Sequence, residues 1–339
     1  MRWLSANALH VGRRALFTLL LTTLALQLAA GVGLSWVAGF EAVRTALTHV
    51  TWPWLLVLVA GLVVSFVGYD NAYRGTFAGT PRWSLPSKEM ALVAVAGFGG
   101  FLAHGATDLD VAALRAGGAD RHDANVHVSA LSGLEYGVLA IGGCGAAIAV
   151  LLLGLHRPPP DFTLPWAIIP VPGFLLAFWL ATRYGGRLAG RGGWRGRVGV
   201  FLESIVLVRG LFARPFRRNP AVLGMALFWA GDALAAWAGL ATFGLHLNVA
   251  QFLVGFATGM VFTRRTGPLA GAGILAVVLP VTLWYSGAAL AVAVPGIFVY
   301  HVLSLWLPMP AVLRSLPTLR RLVDDVDRPG SSPTIHSET

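Results

Sequence analysis

The run VHVSALSGLEYGVLAIGGCGAAIAVLLLGL, from Val126 to Leu155, decides the class of this fold. Its 30 residues hold one acid, Glu135, and one histidine, His127, in an otherwise apolar stretch. About 20 consecutive apolar residues suffice for a helix to cross a hydrocarbon core of roughly 30 Å, so this run predicts a membrane-spanning helix. The remainder of the chain repeats the pattern. Of its 339 residues 56% are hydrophobic and 12% charged, and the mean hydropathy is +0.70. A soluble domain carries roughly 25% charged residues, so a soluble globular fold is excluded. The sequence predicts an all-α polytopic integral membrane protein in a single transmembrane domain, residues 1–315, followed by a disordered tail, 316–339.

Working outward from Val126–Leu155, further spans are expected at Ala15–Val37, Trp52–Tyr69, Trp166–Ala181, Ala221–Leu245 and Ala288–Leu307, six in all, with Asp70, Arg74, Arg82, Lys88 and Glu89 marking a loop after the second. The first follows Arg2, Arg13 and Arg14 and exceeds a signal-peptide core in length, so it is read as a retained helix. Two apolar segments are too short to cross. Met90–Ala103 is broken by Gly97, Gly99 and Gly100; Gln251–Phe262 ends at Arg264, Arg265 and Pro268 and resumes to Ser286. Short Gly- or Pro-interrupted segments in corresponding places of two halves point to a transporter-type site. Met90–Asn125 and Gln251–Ser286 are therefore read as two re-entrant hairpins entering from opposite faces, in halves 1–182 and 221–310 arranged as an inverted repeat. Tyr136 and Tyr300 fall at a common offset after the two breaks and echo that repeat.

The net charge of +10 is almost wholly arginine, since Lys88 is the only lysine. Arginines beside apolar spans set topology and touch anionic lipid, so nucleic acid is not the expected partner. Between Arg183 and Pro220 nine arginines accompany one acid, Glu203, which assigns segment 183–220 to the cytoplasm as a basic loop. Six spans then put both termini in the cytoplasm, with the protein in the cytoplasmic (inner) membrane. Within that loop Phe201, Leu202, Ile205, Val208 and Phe212 share one helical face, as in a helix lying in the interface.

Insertion of an Asp or Arg at the centre of a membrane helix costs about 2.5–3.5 kcal/mol, so such residues are functional candidates. Asp108, Asp110 and Arg115 stand at the first break, where Arg115 either forks onto a lipid phosphate or forms a local ion pair in a solvated loop. Arg264 and Arg265 stand at the second, as anion ligands or interfacial anchors. Glu135 and Asp232 lie inside spans, as proton-coupling carboxylates or as structural partners of an arginine. His301, beside Tyr300, is either titratable or a helix–helix hydrogen-bonding group. Gly133/Gly137 and Gly255/Gly259 read as packing pairs. His104, His122, His127 and Asp123 match no ligand spacing, so no metal is expected, and no cofactor-binding motif occurs. The single cysteine, Cys144, cannot form an intrachain disulfide.

The blocks FGGFLAHGATDLDVAALRAGGADRHDA, from Phe98, and GMVFTRRTGPLAGAGILAVVLPVTLWYSGAALAVAVPGIFVYHVLSLWLP, from Gly259, resemble the two signature regions of the lysylphosphatidylglycerol synthase/flippase membrane region family. The resemblance runs from about residue 10 to 315, with Asp110, Leu114, Arg115 and Gly118 at matching places and Tyr73–Arg74 similar to an aromatic–arginine pair of the family. Ile274 to Ala276 stand where the family usually has a glutamate that starts the next helix. The resemblance implies a lipid flippase that moves an anionic phospholipid or polyprenyl-linked precursor, with Arg74, Asp108, Asp110, Arg115, Arg264 and Arg265 around the head group. Membrane lipids and a second copy of the chain are the implied partners. No aminoacyl-transfer domain follows the membrane region, so lipid lysylation is not expected. The residues also admit a membrane-embedded lipid-modifying transferase with Asp108 or Asp110 as base, or a non-catalytic partner subunit docking through its arginine-rich loop.

Overall fold

The computed structural model describes residues 13–78, 90–94, 106–188, 193–213, 220–261, 275–311, 313–314 and 317–318. Among them there is no strand, and the labelled helices are α1 (Arg13–Ala38), α2 (Phe40–Thr48), α3 (Pro53–Phe77), α4 (Ala106–Ala116), α5 (Arg121–Leu152), α6 (Pro160–Ile168), α7 (Pro170–Leu188), α8 (Gly193–Ala213), α9 (Ala221–Ala241), α10 (Val249–Met260), α11 (Leu275–Tyr285) and α12 (Leu290–Trp306). Among the described residues, six helical segments are long and apolar enough to cross a membrane. The chain is an all-α polytopic membrane protein, and large apolar side chains such as Trp36, Leu56 and Leu175 face outward, as lipid contact requires.

The centre of the bundle is the antiparallel pair α3 and α9, packed backbone to backbone. Gly61, Ser65, Gly68 and Ala72 face Ala235, Gly231, Phe228 and Gly224 in reverse order along α9. A Cβ added at Gly61 would stand 2.8 Å from the Gly231 carbonyl oxygen, and one at Gly68 would fall on the backbone nitrogen of Phe228. Lipid tails are as apolar as leucine, so helices in a membrane associate by close van der Waals fit, which small residues permit. The stripe repeats at four- and three-residue steps, a sequence signal that the reading of Gly133/Gly137 and Gly255/Gly259 passed over. α12 crosses α9 where Gly239 meets Gly296, also antiparallel.

Direction along the bundle follows from such pairings. α5 and α10 run antiparallel, with Gly143 against Ala257 and Val150 clustered with Ala250 and Val254. α7 returns antiparallel to α5, Phe174 lying near Gly137, and α8 turns back again, Val208 near Gly133 and Phe212 near Gly137. The start of α5, the end of α7 and the start of α8 thus share one face, the near face. At the opposite, far face the Thr51 N–H donates to the Thr242 carbonyl (2.9 Å) and Gln251 Nε2 to the Arg157 carbonyl (2.7 Å).

α10 and α11 form an antiparallel pair in which Gly255 faces Ser286 and Gly259 faces Leu279. Their described residues, 12 and 11, rise about 18 and 16 Å at 1.5 Å per residue, and residues 262–274 between them lie outside the described residues. α10 starts at the far face and α11 runs back toward it, and the register of Ala257 on Gly143 places Met260 at about the middle of α5. An N-terminal capping box starts the hairpin: the Ala250 N–H donates to Asn248 Oδ1 (2.8 Å) and the Asn248 N–H to Gln251 Oε1 (3.1 Å).

Several boundaries differ from expectation. α3 continues through Asp70 and Arg74, which pair at i,i+4 instead of opening a loop. Asp108, Asp110 and Arg115 belong to helix α4, which ends at Gly117–Asp120, where Gly118 has φ +99° and the Ala119 N–H donates to the Leu114 carbonyl; Gly97, Gly99 and Gly100 lie outside the described residues. Segment 183–220 is largely helical, forming the end of α7 and all of α8. α8 packs on α5 and α7 with Leu202, Val208 and Leu211 buried, whereas Phe201, expected on the same apolar face, is 57% exposed.

Asp120 caps α5, its Oδ1 accepting the Asp123 N–H at 2.8 Å. That hydrogen bond holds the Asp120 carboxyl below its usual range. A folded value below the unfolded one, about 3.9, stabilises the protein above that value and loses the stabilisation as pH falls through the folded value. Asp120→Ala is expected to cost about 1 kcal/mol at neutral pH, read as a lowered thermal midpoint in detergent. Asp120→Asn keeps the cap and removes this group's share of the acid dependence.

Candidate functional site

Two features inside the bundle hold the polar side chains of interest. The first is a buried carboxylate core on α5, α9 and α12. Asp232 is 1% exposed and accepts the Tyr300 hydroxyl at 2.8 Å. Tyr300 is fixed there because its Cβ lies close to Gly239, which has no side chain to displace it. Glu135 is 3% exposed, and its backbone carbonyl accepts Trp229 Nε1 at 2.8 Å, which ties α5 to α9 beside the aromatic pair Trp229 and Phe256. His301 is buried, its ring centroid 5.2 Å from that of Tyr300. Thus α9 and α12 bring Asp232, Tyr300 and His301 together, with Glu135 on the neighbouring helix α5.

The second feature is a groove. The inner faces of α5, α7 and α8 leave a cavity of about 560 Å³, continued by one of about 480 Å³ along α5 and α7; Gly133, Tyr136, Phe174 and Ala177 line both. Serines 129, 132 and 204 and Tyr136 supply hydroxyls to a wall otherwise of Phe, Val, Ile and small residues. Tyr136 therefore faces the groove, while its neighbour Glu135 is buried.

At the near end, Arg74 Nε donates to Asp70 Oδ2 at 2.8 Å, so Arg74 is held by a neighbour one turn away. Asp110 is 3% exposed and Arg115 half-buried on α4, whose Ala113 and Leu114 pack into the core with Tyr73, Phe77 and Val128. The side chain of Asp108, and Arg264 and Arg265 altogether, lie outside the described residues, as does His104. His122 Nε2 meets Glu203 Oε2 at 2.7 Å, linking α5 to α8, and His127 Nδ1 meets the Asp123 carbonyl at 2.9 Å. Among the described residues no three metal-ligating side chains gather.

Sequence reasoning passed over Gln27 and Ser65, both buried at membrane depth. Gln27 Oε1 and Ser65 Oγ have no hydrogen-bond partner among the described residues. A lone polar residue in a hydrophobic run is their only sequence signal. Compared with known proteins, the sequence matches no family model and no curated protein.

Proposed function

We propose that the chain is a lipid transporter of the flippase type, moving an anionic phospholipid or lipid-linked precursor between leaflets, as its resemblance to the lysylphosphatidylglycerol synthase/flippase membrane region family implies. The observation that supports the reading is the antiparallel α10–α11 pair, in which α10 starts at the far face and its last helical residue, Met260, lies about half-way along α5, the helix that carries Glu135. Helices that stop inside the hydrocarbon region are tolerated where their ends are buried in protein or line a wet cavity, and such places are where transporters bind cargo. Buried carboxylates at that depth are costly and need a compensating role. A head group would pass along the protein while its tails remain in the bilayer. The arginine-rich near face is the cytoplasmic one by the positive-inside rule, and six crossings bring both ends of the chain there, in the cytoplasmic membrane.

Reconstitution tests this directly. Liposomes containing the protein and a fluorescent phosphatidylglycerol in one leaflet should equilibrate it faster than protein-free liposomes; equal rates for this lipid and for polyprenyl phosphates remove the proposal. Arg115 on α4 serves as a head-group ligand, and a charge-assisted hydrogen bond contributes about 1.5–3 kcal/mol, so Arg115→Ala should slow transport at least about tenfold. Full-rate transport by that variant removes Arg115 from the pathway.

A further inference from the structure

We propose that the groove between α5, α7 and α8 binds one acyl chain of an anionic phospholipid from the leaflet of the near face. The inference needs the chain to sit in a membrane and does not depend on transport. Dimensions favour an acyl chain. From Phe201 to Phe212 the α8 wall rises about 16 Å at 1.5 Å per residue, close to one leaflet's share, about 15 Å, of the hydrocarbon core. The groove's volume of about 560 Å³ falls among those of small-ligand sites, and its lining comes from three helices of one chain.

Space for the chain comes from small residues on α5. Ser129, Ser132 and Gly133 face α8 where larger side chains would close the gap, and a Cβ at Gly133 would already stand 3.3 Å from Val208 Cγ2. Charge favours an anionic head group. Arg197 is exposed one turn before Phe201, on the same face of α8 as Phe201, Ile205, Val208 and Phe212, and so stands at the outer end of the groove. The one acid of α8, Glu203, is engaged by His122 at 2.7 Å. A phosphate at Arg197 with its tail along Phe201 and Phe212 satisfies both ends of one lipid.

The full chain in detergent, incubated with phosphatidylglycerol carrying a photoreactive group at its acyl terminus, provides the test. Adducts mapped by peptide mass spectrometry are expected at Phe174, Phe178 and Phe212, with few on the outward α7 residues Leu175 and Trp179. Unlabelled phosphatidylglycerol should compete at least about fivefold better than phosphatidylcholine of the same chains or the free fatty acid. Gly133→Leu fills the groove and should cut its labelling about tenfold while the outward residues label as before. Arg197→Gln should abolish the preference for phosphatidylglycerol alone. Adducts spread evenly over the lipid-facing helices of the unsubstituted chain overturn the site, and equal competition by phosphatidylcholine or fatty acid overturns the anionic lipid. Groove labelling in a chain that moves no lipid would sink the transport proposal and leave this one standing; transport with scattered adducts would do the reverse.

Discussion

A leucine in place of Gly68 or Gly231 is expected to abolish the folded protein, whereas a leucine at Gly142 leaves it intact. At Gly68 the added Cβ would fall on the Phe228 nitrogen and lie 2.7 Å from the Gly224 carbonyl oxygen; at Gly231 it would meet the backbone of Ser65 and Gly61. Backbone atoms cannot rotate aside as a side-chain tip can, so α3 and α9 must move apart along their length. Overpacking in cores where side chains can yield costs about 1–3 kcal/mol. Here the whole central contact is lost as well, and a membrane supplies no hydrophobic drive to restore it, so the loss should exceed about 4 kcal/mol. A Cβ at Gly142 meets nothing within 4 Å, and that position is exposed to lipid. The fraction eluting as a single species from detergent, and its thermal midpoint, should collapse for Gly68→Leu and Gly231→Leu and stay at the parent value for Gly142→Leu. Parental behaviour by either of the first two would contradict the backbone-to-backbone contact.

Replacing Tyr300 by Phe should lower stability by about 1–3 kcal/mol, the range for removing one partner of a buried hydrogen bond, because Asp232 then loses the hydroxyl that it accepts at 2.8 Å. Asp232→Asn retains an oxygen acceptor for Tyr300 and should cost less. In a double-mutant cycle of the two substitutions, a coupling near zero would show that the bond contributes nothing to stability. Transport separates structure from function at the same position. If the Asp232 charge takes part in moving the head group or a coupled proton, Asp232→Asn folds and transports at least about tenfold more slowly. Full-rate transport by Asp232→Asn would make the carboxylate a structural link between α9 and α12.

The readable part of this molecule lay in its long apolar runs, and the misreadings fell where charge met helix. Asp70 and Arg74 suggested a loop, yet their i,i+4 spacing lets them pair on a continuing helix, which makes their charges tolerable at its end. Asp108, Asp110 and Arg115 suggested an unwound break for the same reason, while Gly117–Gly118, with a left-handed glycine, is what ends α4. The basic segment after Arg183 suggested a surface helix; α8 instead buries Leu202 at 6% exposure and builds one wall of the groove. Asp232, Tyr300 and His301 were each legible as candidates. Their gathering on two helices was not, because residues 232 and 300 meet only after α9 and α12 have packed.

By itself the sequence determined the solvent of this protein and the long apolar segments that form six helices able to cross a membrane among the described residues. Those properties are sums over neighbouring residues along the chain, and the bilayer reads them one segment at a time. Only the tertiary structure decided which glycines carry the fold and where a ligand could lodge. Gly33, Gly142 and Gly145 resemble Gly61, Gly68 and Gly231 in sequence, but the first three have open space beyond their Cα atoms and the last three touch another backbone. Packing between helices depends on which faces meet. Among residues of one polarity in a lipid solvent, periodicity along the chain does not distinguish a face that meets a helix from a face that meets an acyl chain.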